Sequence, residues 1–318
     1  MTFAGSPERV EARLVADAGY PFDPFSVSGF PRRVGIGLVR AAAQAVTAPF
    51  ASRAILERRR PDVVLGGGGY VAGPMVLAAW TKRIPAALTE ADAHVGLANR
   101  LASPFARRIF LAYPIGEERG VGRPIPSNSR AVARDEARRE LGLPLEGQVL
   151  LVAGALAGAR SLNEAVVEAF GESGPAVLHL TGERDFDLVR ARVSRDDYVV
   201  LPSIERFGLA LGAADLALAR AGGSVWELAA AGLPAVLVPY PHATADHQTR
   251  NAEHFERAGG AVVVPDSELA RAPDVVRALL ADESELATMG EAMLGAARPD
   301  AAEQIAEELV QLAAAARR

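Results

Sequence analysis

The residues best equipped for chemistry lie between Arg220 and Asn251, a stretch reading RAGGSVWELAAAGLPAVLVPYPHATADHQTRN. Gly222, Gly223 and Ser224 make a turn that opens an apolar-patterned helix through Val225, Trp226 and Glu227. Such a junction offers backbone N–H groups without intrahelical partners and the positive end of a helix dipole, which together suit a phosphate. Glu227 follows at a position where a carboxylate can accept hydrogen bonds from ribose hydroxyls. An apolar run over 235–238 leads into a Pro-bounded loop holding His242, Asp246, His247, Gln248 and Asn251. Amide side chains in that loop can read sugar hydroxyls. Alone, the glycine pair reads equally as an ordinary turn, and Glu227 as a first-turn acid favoured by the dipole. Together they describe a nucleotide-sugar site.

Other segments carry weaker chemistry. Gly66–Gly69 follows a strand and opens a helix, so it is either a close-approach loop for a ligand or a tight turn. Thr89-Glu90-Ala91-Asp92-Ala93-His94 puts two carboxylates and an imidazole in six residues. That is enough for a general base, and equally a strand-to-helix loop with Asp92 as N-cap. Gly154 to Asn163 is a glycine-containing turn with Gly158 and Arg160. Asp185-Phe186-Asp187 imitates a metal-binding D-x-D, but helical positions i and i+2 point apart, so no metal is expected. Residues 31–60 scatter Arg32, Arg33, Arg40, Arg53 and Arg58–Arg60 among Val34, Leu38, Val46 and Phe50. This is either a basic amphipathic face for anionic lipid or a solvated charged face.

The elements that must hold these residues alternate short β-branched runs with Ala-rich helical stretches, the pattern of a parallel α/β fold. Strands are predicted at 63–65, 86–88, 108–111, 149–152, 177–180, 199–201, 216–218, 235–238 and 261–264. Two prolines between Gly122 and Ser127 mark a linker. The segment 300–318 is Ala/Glu/Leu-rich and reads as a helix. At 318 residues the chain suggests two domains, 1–125 and 126–299, with 300–318 closing the sequence. Two doubly wound domains would place a ligand in the cleft at the strand C-termini. A net charge of −5 argues against a nucleic-acid partner, and the absence of cysteine excludes disulfides and thiolate metal sites. No signal-peptide pattern is visible, and glycines at 66–69 with Gly73-Pro74 break the uncharged stretch 63–81 as a membrane span.

The segment from Arg220 resembles the donor signature of MurG-type glycosyltransferases, R-[AS]-G-A-x-T-x-x-E, with one residue fewer before the acid. His247-Gln248-Thr249-Arg250-Asn251-Ala252 is similar to the family's [HQ]-Q-x-x-N-A. The resemblance spans almost the whole chain. It implies a GT-B fold: α/β, two doubly wound Rossmann-like domains with an interdomain cleft. It implies inverting transfer of N-acetylglucosamine from UDP-N-acetylglucosamine to lipid I, with no metal cofactor. The donor residues so implied are Ile204, Gly222, Gly223, Ser224, Val225, Trp226, Glu227, His247, Gln248 and Asn251, with Asp92, Gly158 and Arg123. Arg123 stands near the place of a family arginine that is Pro126 here, and Leu156 replaces a phosphate-binding serine. Glu90 matches the acid of H-E-x-N, and Glu90 and His94 are the catalytic candidates. The final helix packs on the first domain in this family. Trp80 matches a family position near the membrane-facing surface. The implied partners are lipid I, anionic lipid and other cell-wall enzymes, at the cytoplasmic face of the membrane as a peripheral protein. Residues 1–15 resemble the family's second strand and its loop; the first strand, G-G-T-x-G-H loop and first helix have no counterpart. The first strand of such a sheet is central, so exposed apolar edges are expected, from a late-starting reading frame or an incomplete domain. The alternatives are a nucleotide-sugar-binding protein without turnover, another GT-B transferase, or a non-hydrolysing sugar epimerase.

Overall fold

The computed structural model describes residues 1–8, 10–27, 36–116, 120–154 and 158–317, and within these not the side chains of Val10, residues 36–43 and Ala45. The chain divides into two compact units, Met1–Val121 with Glu303–Arg318, and Gly122–Ala302.

The first unit runs β1 (Phe3–Gly5), α1 (Val10–Asp17), β2 (Phe22–Pro24), α2 (Ile36–Arg59), β3 (Val64–Gly66), α3 (Gly69–Thr81), β4 (Ala86–Glu90), α4 (Leu97–Ala102) and β5 (Arg108–Leu111). Its strands form two separate parallel sheets, β1-β2 and β3-β4-β5. Leu65 in β3 is 43% exposed, so one face of that strand is left uncovered. β2 escapes sequence reading because Pro21 precedes its three residues and Pro24 ends them, and proline cannot donate to a ladder. Gly66 serves packing: a β-carbon there would sit 2.8 Å from Leu88 Cδ2 and 3.0 Å from the Ala72 β-carbon. Val76, Ala79, Ala86 and Leu88 fill the core between α3 and the second sheet.

Asp23, at the end of β2, is 4% exposed and receives Arg58 and Arg59 at 2.7 Å each. This pins the end of α2 to the first sheet, since a buried carboxylate left without its cations would be costly. Arg53 pairs with Glu57 at 3.2 Å. Of the basic residues noted at 31–60, Arg53, Arg58 and Arg59 are thus tied to acids of the same unit, and Arg60 is exposed with no ion pair among the described residues. Arg32, Arg33 and Val34, and the side chains of Leu38 and Arg40, lie outside the described residues.

The second unit contains α5 (Arg134–Leu141), β6 (Val149–Ala153), α6 (Arg160–Phe170), β7 (Ala176–Leu180), α7 (Phe186–Arg190), β8 (Tyr198–Leu201), α8 (Phe207–Ala213), β9 (Leu216–Ala219), α9 (Val225–Ala230), β10 (Ala235–Leu237), α10 (His247–Arg257), β11 (Ala261–Val263), α11 (Ala272–Leu280) and α12 (Glu283–Ala296). All six strands are parallel, in the order β11-β10-β9-β6-β7-β8. Strands covered on both faces read as continuous apolar runs, as in β6 and β9. The order reverses at β6, between β7 and β9. Loops leaving the C-terminal ends of strands beside such a reversal are the usual ligand position.

The last helix, α13 (Ala301–Ala316), belongs to the first unit from residue 303. Ile305, Leu309 and Leu312 pack with Ala87, Phe110 and Val121, and Arg108 pairs with Glu308 at 2.6 Å.

Candidate functional site

In the second unit the loops beside the reversal are held by one side chain. Arg220, 5% exposed, follows β9 and turns inward. Its Nη1 donates to the carbonyls of Val238 and Pro239, both at 3.2 Å, and to Asp266 at 2.6 Å. Its Nη2 donates to Ser161 Oγ at 2.8 Å. One planar guanidinium thus joins the ends of β9 and β10, the loop after β11 and the start of α6, which its fork of donors allows and an ammonium would not.

Fixed by that anchor, the turn at 222–224 presents free donors. The amides of Val225, Trp226 and Glu227 close onto the carbonyls of Gly222, Gly223 and Ser224 at 3.3, 3.3 and 3.0 Å. Among the described residues, the amides of Gly222, Gly223 and Ser224 donate to no acceptor. α9 is only 6 residues long, so the expected dipole contribution is small and the free amides carry the attraction for an anion. The guanidinium of Arg123 lies against Gly223, where any β-carbon would collide with it. A cation and three amides without an acceptor therefore lie at one turn.

Glu227 sits on the first turn of α9, partly buried. Ser129 Oγ donates to its Oε1 at 2.8 Å. Burial pushes the carboxyl above the ordinary glutamate range, while the Ser129 hydrogen bond and the Arg123 charge pull it back in part.

The structure corrects several expectations in this segment. Val225 is fully buried and Trp226 is 2% exposed, its ring packed on His254 and Phe255 at 5.8 and 5.2 Å. These side chains belong to the core behind the turn. Asn251 is also fully buried, and its Nδ2 donates to the Ala221 carbonyl at 3.1 Å. It braces the turn from below instead of reading a sugar. Gln248 accepts from the Tyr240 amide at 2.9 Å through its carboxamide oxygen, which leaves its NH2 as the polar group available to a ligand. His247 Nδ1 is 2.9 Å from the Thr244 carbonyl, which fixes that nitrogen as the protonated one. Just before α10, Ala245 and Asp246 both have φ of 53°, a left-handed pair that costs non-glycine residues about 1–2 kcal/mol each. Ile204 lies partly buried between β8 and α8.

Gly158 has φ of 72°, and a β-carbon there would strike the Thr181 carbonyl, so the entry to α6 needs glycine. Leu156 lies outside the described residues. Below this turn runs a buried polar chain. His179 contacts Tyr198 OH at 2.9 Å and Asn163 Oδ1 at 3.0 Å, and Asn163 Nδ2 donates to Asp185 at 3.2 Å. Asp185, 1% exposed, also takes Arg184 at 2.9 Å, which commits it to the fold. Among the described residues no cluster of three acids or histidines is arranged to hold a metal.

In the first unit, Glu90 ends β4, and the loop behind it wraps around its carboxylate. Oε1 accepts from the Ala91 amide at 3.1 Å; Oε2 accepts from the Gly96 amide and Asn99 Nδ2, both at 2.9 Å. Glu90 is thus a loop staple, both of its carboxylate oxygens accepting from donors of its own loop. Asp92 and His94 lie partly exposed within the loop it shapes. Sequence reasoning gave no role to Arg220, Ser129 or Asn99; their importance comes from partners up to 98 residues away, as between Ser129 and Glu227.

Comparison with known proteins places these features in a lineage. The glycosyltransferase family 28 N-terminal domain matches residues 2–111 and its C-terminal domain residues 149–305. A protein of Salinibacter ruber named UDP-N-acetylglucosamine–N-acetylmuramyl-(pentapeptide) pyrophosphoryl-undecaprenol N-acetylglucosamine transferase is 37% identical, over 98% of this chain and 88% of its own. A Nocardioides protein of the same name is 39% identical, over 98% and 89%. The crystal structure of Acinetobacter baumannii MurG superposes with a TM-score of 0.78 at 27% identity, covering 98% of this chain and 90% of that one.

Proposed function

The chain belongs to glycosyltransferase family 28, and from that premise we propose that it transfers N-acetylglucosamine from UDP-N-acetylglucosamine to N-acetylmuramyl-(pentapeptide) pyrophosphoryl-undecaprenol. Its fold is GT-B-like α/β, with two Rossmann-like units. The observation that carries the reading is the convergence of three unbonded amides, Arg123 and Glu227 at the β9–α9 turn.

The amides of Gly222, Gly223 and Ser224 and the Arg123 guanidinium meet the donor diphosphate. They hold it more strongly as charge gathers on it during departure, and that difference is what lowers a barrier. Glu227 accepts from the ribose, and Gln248 donates to the sugar. Gly158 lets the α6 turn approach the phosphates, and Ile204 flanks the uracil. Glu90 shapes the loop that carries Asp92 and His94, and His94 takes the proton from the acceptor hydroxyl. That proton leaves as the new glycosidic bond forms on the face opposite the breaking bond to the diphosphate, inverting the anomeric carbon.

The acceptor is lipid-linked, so the protein works at the membrane surface. No described helix is long and apolar enough to cross a bilayer. Val46 and Phe50 on α2, and Leu97 and Leu101 on α4, are exposed pairs at i,i+4 spacing, each between 67% and 72% exposed. Trp80, 55% exposed, packs against Phe105 with ring centroids 5.2 Å apart and planes tilted by 60°. Arg83, Arg100 and Arg107, all exposed, lie on α4 or just beyond α3 and α4. This composition suits peripheral attachment to anionic lipid at the cytoplasmic face. The test is incubation with radiolabelled UDP-N-acetylglucosamine and a lipid I analogue. Transfer of label with release of UDP is expected; stoichiometric donor binding without product would reduce the protein to a binder.

A further inference from the structure

Resting on the donor-site reading above, we propose that Ser129 is a positioning residue for ribose recognition, selecting which oxygen of Glu227 faces the nucleotide. Ser129 is 4% exposed and ends a one-turn 3-10 helix, Ser127–Ser129. Its hydroxyl donates to Glu227 Oε1 at 2.8 Å. With Oε1 held, Oε2 is left as the acceptor for ribose. A carboxylate on a flexible side chain would otherwise lose rotamer freedom on binding each donor.

The placement of Ser129 is itself built. Residues 130–132 lie flush against α8 because Gly208 and Gly212, one helical turn apart, have no side chains there. A β-carbon on Gly208 would strike the Arg130 carbonyl, and one on Gly212 the Val132 carbonyl. The Val132 amide donates to the Gly208 carbonyl at 3.0 Å, and Asn128 Nδ2 to the Glu205 carbonyl at 2.6 Å. This seated segment starts with Arg123 at the glycine turn and reaches Ser129 at the acid. One stretch of chain therefore supports both the phosphate and ribose ends of the donor.

The test measures binding of UDP and of 2′,3′-dideoxy-UDP, which lacks the hydroxyls, by calorimetry on the full chain. Ser129→Ala should weaken UDP about tenfold, the scale of one hydrogen bond to a charged group, and leave dideoxy-UDP unchanged. Ser129→Thr, which keeps the donor, should restore UDP binding. Equal loss for both nucleotides would assign Ser129 a purely structural part and overturn the proposal, as would no loss for either. Glu227→Ala serves as the control. If it fails to erase the preference for UDP over dideoxy-UDP, the donor-site reading itself falls. If it erases the preference while Ser129→Ala does not, only the role of Ser129 falls.

Discussion

At the scale of single residues, the site depends on groups whose partners set their chemistry. Glu227→Ala should weaken UDP-N-acetylglucosamine binding by about 1–3 kcal/mol, read by calorimetry; unchanged affinity would remove it from the site. Because burial raises its carboxyl, it protonates earlier on acidification than an ordinary glutamate. Donor affinity should then fall as pH drops through that raised range, and Glu227→Gln should flatten the profile. The stability effect has the opposite sign. A carboxyl raised in the fold stabilises it when protonated, and that contribution is lost as pH rises through the folded pKa. Gly223→Ala should push the Arg123 guanidinium off the turn. A flexible arginine can swing away, so the melting temperature should hold while donor affinity drops about tenfold. An unaltered affinity would show that Arg123 is not needed over the turn.

At the scale of elements, the buried chain Tyr198–His179–Asn163–Asp185 stitches β8, β7, α6 and the start of α7 together. Burial lowers His179 from 6.5 to about 3, so the fold keeps it neutral. The unfolded chain takes up a proton near pH 6.5 that the folded chain refuses, so stability present above that pH is lost as pH falls toward 3. The loss approaches about 1.4 kcal/mol per pH unit. His179→Gln should show a shallower decline between pH 6.5 and 5 in urea unfolding, and a decline as steep as the parent's would refute the assignment. This histidine was hidden in the sequence, where it reads as an interruption in an apolar strand. The nine strands predicted from apolar runs all form, with ends within a residue or two, because buried parallel strands announce themselves. β2 does not, being three residues with proline around them, and β1, also three residues, is reached only through the family resemblance of residues 1–15. The glycine turn and Glu227 were equally legible, since residue type and order determine a turn. The inward direction of Trp226 and Asn251 was not, because it depends on α10 packing behind α9.

At the scale of the molecule, peripheral attachment is the property to measure. Co-sedimentation with phosphatidylglycerol vesicles should exceed that with phosphatidylcholine and weaken between 0.05 and 0.5 M salt, about where a Debye length shrinks below 10 Å. Trp80→Glu should reduce pelleting without changing soluble donor binding, and indifference to lipid charge would count against an electrostatic component. The split architecture of the first unit has a further consequence. Two sheets have four borders where a single five-stranded sheet has two, and β1 and β3 each have one neighbour among the described strands. A strand border offers unused peptide groups to whatever extended backbone drifts past. Crowded preparations of this protein should thus turn sticky, adding copies edge to edge, and the useful precaution is dilution rather than a search for a defined dimer.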